Sequence, residues 1–134
     1  MPTPNLVPDA DYRVLLEDLK GRIRSSQIKA AIAVNQELIL LYWQIGREVL
    51  QEFPEMKGFS ARNIGYMKAL ADAWPNESIL QEVLAKIPWY HNITLLEKLK
   101  SRDERLWYAQ KVIENSWSRS VLVGQIEIGL YQEQ

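Results

Sequence analysis

Apolar residues recur at steps of three and four along almost the whole chain. That is the period of one helix face, not the alternation of a strand. Residues 11 to about 24 carry Leu15, Leu16, Leu19 and Ile23. Residues 27 to about 51 carry the stronger pattern, with Ile28, Ile32, Asn35, Ile39, Tyr42, Gly46 and Val49 alternating spacings of four and three. A heptad-like stripe of this kind packs lengthwise against another helix. Asn35 within it is expected to be a buried amide that sets register, and Gly46 a point of close backbone approach. No proline separates the two segments, so they also read as one long helix.

Helix stops and caps divide the rest. Pro54 and Gly58 end the long region. Ser60 is a natural N-cap for a helix from Ala61 to about Trp74, with Ile64, Met67, Leu70 and Trp74 inside. Pro75 stops it. Asn76 caps a short helix holding Ile79, Leu80, Val83 and Leu84. Pro88 breaks the chain at an aromatic corner, Trp89-Tyr90-His91, and a helix follows from about Ile93 to Lys100. Ser101-Arg102-Asp103-Glu104 reads as a capping box. Ser118 caps the last helix, with Val121, Leu122, Ile126 and Leu130 on its inner side. No Asn-Gly hairpin signal is present. The expected architecture is an all-α helical bundle of about five to six helices, with one or two long N-terminal helices. Residues 11–134 form a single domain behind a proline-containing flexible arm, residues 1–10.

Composition narrows the chemistry. The 134 residues include five Trp and six Tyr, which implies a dense core or a partner surface. With no cysteine there is no disulfide framework, thiol nucleophile or thiolate metal site. The N-terminus, Met1-Pro2-Thr3-Pro4-Asn5, lacks the basic and apolar regions of a signal peptide. The longest apolar run, Leu38 to Trp43, is far short of a membrane span. These features fit a cytoplasmic chain with no membrane partner. The net charge of -1 creates no global field for nucleic acid. Locally, Lys20, Arg22, Arg24 and Lys29 form a stretch without acids, and Lys86 to Arg119 hold seven basic and four acidic residues. A solvated helix face explains such charges as readily as a partner does.

No constellation announces catalysis, a cofactor or a metal. His91 needs a partner to act as a general base, and the nearest acid in sequence is Glu97. Ser60, Ser101 and Ser118 occupy cap positions. Asp103/Glu104 and Asp9/Asp11 flank helix starts, where the dipole favours them. The chain is therefore expected not to be an enzyme. Two features could bind. In Lys57-Gly58-Phe59-Ser60-Ala61-Arg62-Asn63-Ile64-Gly65-Tyr66-Met67-Lys68, a glycine turn and a cap open a helix with polar residues in its first turns, as in a DNA-recognition helix. A capped surface helix has the same pattern. Trp107, Tyr108, Trp117 and Arg119 could stack on bases, or simply pack in the core.

Several strings taken together are more specific. Val34-Asn35-Gln36-Glu37-Leu38 and Leu41-Tyr42-Trp43-Gln44-Ile45-Gly46 resemble the N-terminal domain of the YhcG-type nucleases. So do the Phe53 to Asn63 string, Pro88-Trp89-Tyr90-His91-Asn92, Glu104-Arg105-Leu106-Trp107-Tyr108 and Trp117-Ser118-Arg119. They occur in the family's order across residues 12–132. The resemblance implies a helical DNA-binding domain of bacterial origin, normally followed by a PD-(D/E)xK nuclease domain. The chain ends at Gln134, about where that domain would begin. Relatives also carry roughly twenty more residues between Leu50 and Phe53, including the first helix of a helix-turn-helix.

The leading expectation is a non-catalytic, nuclease-associated DNA-binding module. Lys57, Ser60, Arg62, Asn63, Tyr66, Lys68 and Arg119 would contact DNA. The rival is a protein-interaction module that forms a homodimer through Ile28, Ile32, Asn35, Ile39, Tyr42 and Val49, or that binds a nuclease-domain protein. With the internal helix missing, the end of the long helix or a second chain would have to support the helix after Ser60.

Overall fold

A computed structural model describes residues 9–55 and 62–134 of the chain. These residues contain seven α-helices, one 3-10 turn and no strand. The helices are α1 (Asp9–Glu52), α2 (Arg62–Ala73), α3 (Glu77–Glu82), α4 (Trp89–Lys98), α5 (Arg102–Asn115), α6 (Arg119–Glu127) and α7 (Leu130–Glu133), with the 3-10 turn at Leu84–Lys86. The chain divides into two compact units, one ending at Ala33 and the other Val34–Gln134. None of the described helices is long and apolar enough to cross a membrane.

The two segments read separately over residues 11–24 and 27–51 are both part of α1. Gly21 and the Ser25-Ser26 pair lower helix propensity but leave every backbone N–H in place, unlike a proline. In the first unit Tyr12, Leu15, Leu19, Ile23, Ile28 and Ile32 are all exposed.

In the second unit the same helix is a core element. Ile39, Trp43 and Gly46 are buried, and Tyr42 meets Trp89 edge to face at 4.7 Å between ring centroids. The Trp43 indole N–H donates to the Trp74 carbonyl at 2.6 Å, where α2 has just ended. Gly46 lies directly against the backbone of Met67, and the absence of a Cβ makes that approach possible. The end of α1 thus supports α2. Leu70, Leu80, Leu84, Ile87, Leu95 and Leu122 fill the space between α2, α3, α4 and α6. Burying a side chain of this size contributes roughly 1.5–3 kcal/mol.

Asn35 does not pair helices lengthwise. It is half-buried, and its amide nitrogen donates to the carbonyls of Ala85 (3.0 Å) and Ile87 (2.9 Å). The buried Asn92 amide reaches the same turn from α4, donating to Leu84 (3.0 Å) and Ile87 (3.3 Å). The Ala85 and Ile87 carbonyls, where the 3-10 turn ends, are thus satisfied by side chains.

Three caps behave as the sequence suggests. The side chains of Asn76, Ser101 and Ser118 accept from backbone N–H groups of the first turns of α3, α5 and α6. The cap expected at Ser60 lies outside the described residues, as does most of the arm expected at 1–10. Two boundaries differ from expectation. The aromatic corner is helical, because Pro88 occupies the N-cap of α4 with an extended ψ of 161° and Trp89 opens the helix. The final helix is broken where Gly129 adopts φ 73°, a left-handed conformation that ends α6 and starts α7.

Candidate nucleic-acid interface

Three helices of the second unit supply one cleft. Asn63 and Tyr66 come from α2, Tyr90, Ile93 and Glu97 from α4, and Arg119 from the start of α6. Its volume is about 360 Å³. Position along α4 decides which residues face it: Tyr90, Ile93 and Glu97 follow at steps of three and four, while Leu95 and Leu99 turn into the core.

Side-chain hydrogen bonds fix the walls. The Tyr66 hydroxyl donates to the Glu97 carboxylate at 3.0 Å, tying α2 to α4. The Trp89 indole N–H lies 3.4 Å from Asn63 Oδ1. Arg119 Nε–H donates to Thr94 Oγ1 at 3.2 Å, and the Thr94 hydroxyl in turn donates to the Tyr90 carbonyl at 2.9 Å. That chain orients the guanidinium on α4 through its Nε end. Tyr90 is 67% exposed, so its ring is a free platform at the rim. The cleft therefore combines an aromatic face, a positioned guanidinium, a neutral amide and one carboxylate. Phosphate suits the Arg119 end and is repelled at Glu97. A carboxylate accepts hydrogen bonds from amino groups, including those on base edges.

Of the DNA-contact residues expected from sequence, Asn63, Tyr66 and Arg119 come together here. Lys68 does not join them: it projects from another face of α2, and its ammonium donates to the Pro54 carbonyl at 3.4 Å. Arg62 is the first residue of α2. Lys57 and Ser60 lie outside the described residues. Sequence reasoning missed Glu97 and the rim role of Tyr90. The signal available was the helical spacing of Tyr90, Ile93 and Glu97, which the expected corner after Pro88 obscured.

The aromatic residues of α5 go elsewhere. Tyr108 is buried; its hydroxyl accepts from the Tyr131 N–H at 3.0 Å. Trp107 is edge-to-face with both Tyr108 and Tyr131. These rings close α5 on α7 and are core, not a stacking surface. Of the residues proposed for a partner interface, Ile39 is buried and Asn35, Tyr42 and Val49 are half-buried within the second unit. Ile28 and Ile32 remain exposed in the first.

His91 is buried, and its Nε2 lies 2.9 Å from the Trp117 carbonyl. A carbonyl only accepts, so the proton sits on Nε2. That bond ties the start of α4 to the segment preceding α6. Arg105 has a structural role of the same kind. Its guanidinium donates to the carbonyls of Leu95, Leu96 and Leu99 at the C-terminal end of α4, where the Leu95 carbonyl also accepts the Leu99 N–H. Partial burial lowers its pKa from the ordinary value by desolvation. No group of three or more His, Asp or Glu among the described residues could hold a metal ion.

A helical domain, strand-free among the described residues, whose long first helix buttresses a short helix beside an aromatic, Arg-bearing cleft defines the class. The chain belongs to the DUF1016 N-terminal domain family, whose model matches residues 47–133. The match spans the end of α1 and every later helix, which includes the whole cleft. No curated protein and no solved structure matches the chain.

Proposed function

We propose that this chain is a nuclease-associated, non-catalytic DNA-binding module. The observation that carries this reading is the convergence of Asn63, Tyr66 and Arg119 on one cleft beside the exposed Tyr90. Arg119 would take a phosphate, Tyr90 would stack on a base, and Asn63 would face base-edge donors and acceptors. Lys57, Ser60, Arg62 and Lys68 would also contact DNA. Family membership supports the association with nucleases, through the YhcG-type resemblance.

Fluorescence anisotropy with labelled duplex and single-stranded oligonucleotides, across a salt series, tests the proposal. Binding should be measurable at low salt and weaken as salt rises. Arg119→Ala and Tyr90→Ala should each weaken it. Undetectable binding at low salt, or affinity unchanged in both variants, would remove the reading. A metal-supplemented nuclease assay on the same preparation should show no cleavage.

A further inference from the structure

The described residues of the first unit carry an exposed apolar face. Tyr12, Leu15, Leu19 and Ile23 are each between 40% and 60% exposed. At 3.6 residues per turn they fall, with Leu16, within about 100° of the α1 circumference. Ser26, Ala30 and Ala33 continue the same face as small residues. One edge of the face carries Asp11, Asp18, Arg22 and Lys29, two acids followed by two bases.

We propose that this face pairs antiparallel with the same face of a second copy of the chain. Charge order selects both the partner and the direction. Reversing a copy about Lys20 sets Asp11 opposite Lys29 and Asp18 opposite Arg22, and two-fold symmetry makes each pairing occur twice. Within one chain Arg22 already meets Asp18 at 2.6 Å. Two copies would close these residues into an alternating ring of four charges beside the dyad. In a parallel two-fold pair this edge would face the partner's opposite edge, so these four residues would not pair with one another. Side-chain size gives the same answer: reversal brings the bulky Tyr12 between Ser26 and Ala30 and Leu15 beside Ser26, whereas a parallel pair stacks bulk on bulk and leaves the small end loose. The five large side chains offer on the order of 400 Å² of apolar surface per chain. That is enough for the buried centre of an interface of about 800 Å² per partner.

This pairing is independent of the cleft, which lies in the second unit. It also differs from the stripe through Asn35, Ile39 and Tyr42, which the second unit uses itself.

The chain has no cysteine, so a single introduced thiol can be spin-labelled cleanly. Ala31→Cys and Ser25→Cys lie outside the paired face, and inter-copy distances at both report direction. In the antiparallel pair the two labels at residue 31 are offset by 22 residues along the axis, roughly 33 Å, and those at residue 25 by 10 residues, roughly 15 Å. The residue 31 distance should therefore be clearly the longer. Equal distances would mean a parallel pair and would overturn the proposal. Light scattering on the unmodified chain should give twice 15.6 kDa at micromolar concentration; a monomer would also overturn it. Leu19→Lys changes only an exposed position, so its helical circular dichroism should persist while dimer affinity falls at least tenfold. Unchanged affinity in that variant would count against this face.

Discussion

Gly46 of α1 rests against the carbonyl of Met67 in α2 so closely that a methyl group at Gly46 would overlap it, and would also crowd the Ala71 side chain at 3.1 Å. Backbone cannot yield as a flexible side chain can. Gly46→Ala should therefore destabilise the domain by about 2–3 kcal/mol, the upper part of the range for overpacked sites. Gly21→Ala and Gly124→Ala are the controls. A Cβ at either position meets nothing within 4 Å, so each should stabilise its helix by roughly 0.5–1 kcal/mol. Urea titrations followed by circular dichroism would separate the three, and a neutral Gly46→Ala would contradict the close crossing.

Asn35 and Asn92 share the Ile87 carbonyl. Asn35→Ala should cost about 1–3 kcal/mol, because it strips hydrogen bonds from carbonyls of residues that are almost wholly buried. Asn92→Ala should cost a similar amount. Since both act on one acceptor, the double variant should depart from additivity by at least ~0.5 kcal/mol. Strict additivity in a double-mutant cycle would mean that the two amides do not act on the turn together.

Arg105 closes the end of α4 through a planar fork. A lysine ammonium cannot reproduce that geometry. Arg105→Lys should recover little of the loss seen in Arg105→Ala, which should be about 2–3 kcal/mol for several charge-assisted bonds at a partly buried site. Thermal melts of the two variants provide the comparison, and full rescue by lysine would show that charge alone matters.

Within the cleft, Glu97 should oppose nucleic acid through its charge. Glu97→Gln removes that charge while keeping an acceptor for the Tyr66 hydroxyl. Its affinity for oligonucleotides should rise about two- to tenfold at low salt, with stability little changed. Arg119→Ala should act in the opposite direction and reduce the slope of log affinity against log salt by about one. Anisotropy titrations at several salt concentrations give both quantities. A fall in affinity for Glu97→Gln would show instead that the carboxylate contacts the ligand favourably.

The sequence by itself determined the helical class, most helix limits and three caps, because these depend on local facts: period, proline, and a side-chain oxygen within reach of a first-turn N–H. It also marked Asn35 and Gly46 as special, since an amide and a glycine inside an apolar stripe need a reason. The reason itself was tertiary. Asn35 bonds to carbonyls fifty residues away, and Gly46 needs a second backbone at its surface; neither partner is legible from spacing within one helix. The stripe from Ile28 to Val49 is continuous as a pattern, yet only its later part is covered, because burial depends on where other helices lie. The cleft follows the same logic. Asn63, Tyr66 and Arg119 stood out in the sequence, whereas Glu97 and Tyr90 joined them only when α4 packed between α2 and α6; Lys68, two residues beyond Tyr66, is on another face of α2 by helix period alone.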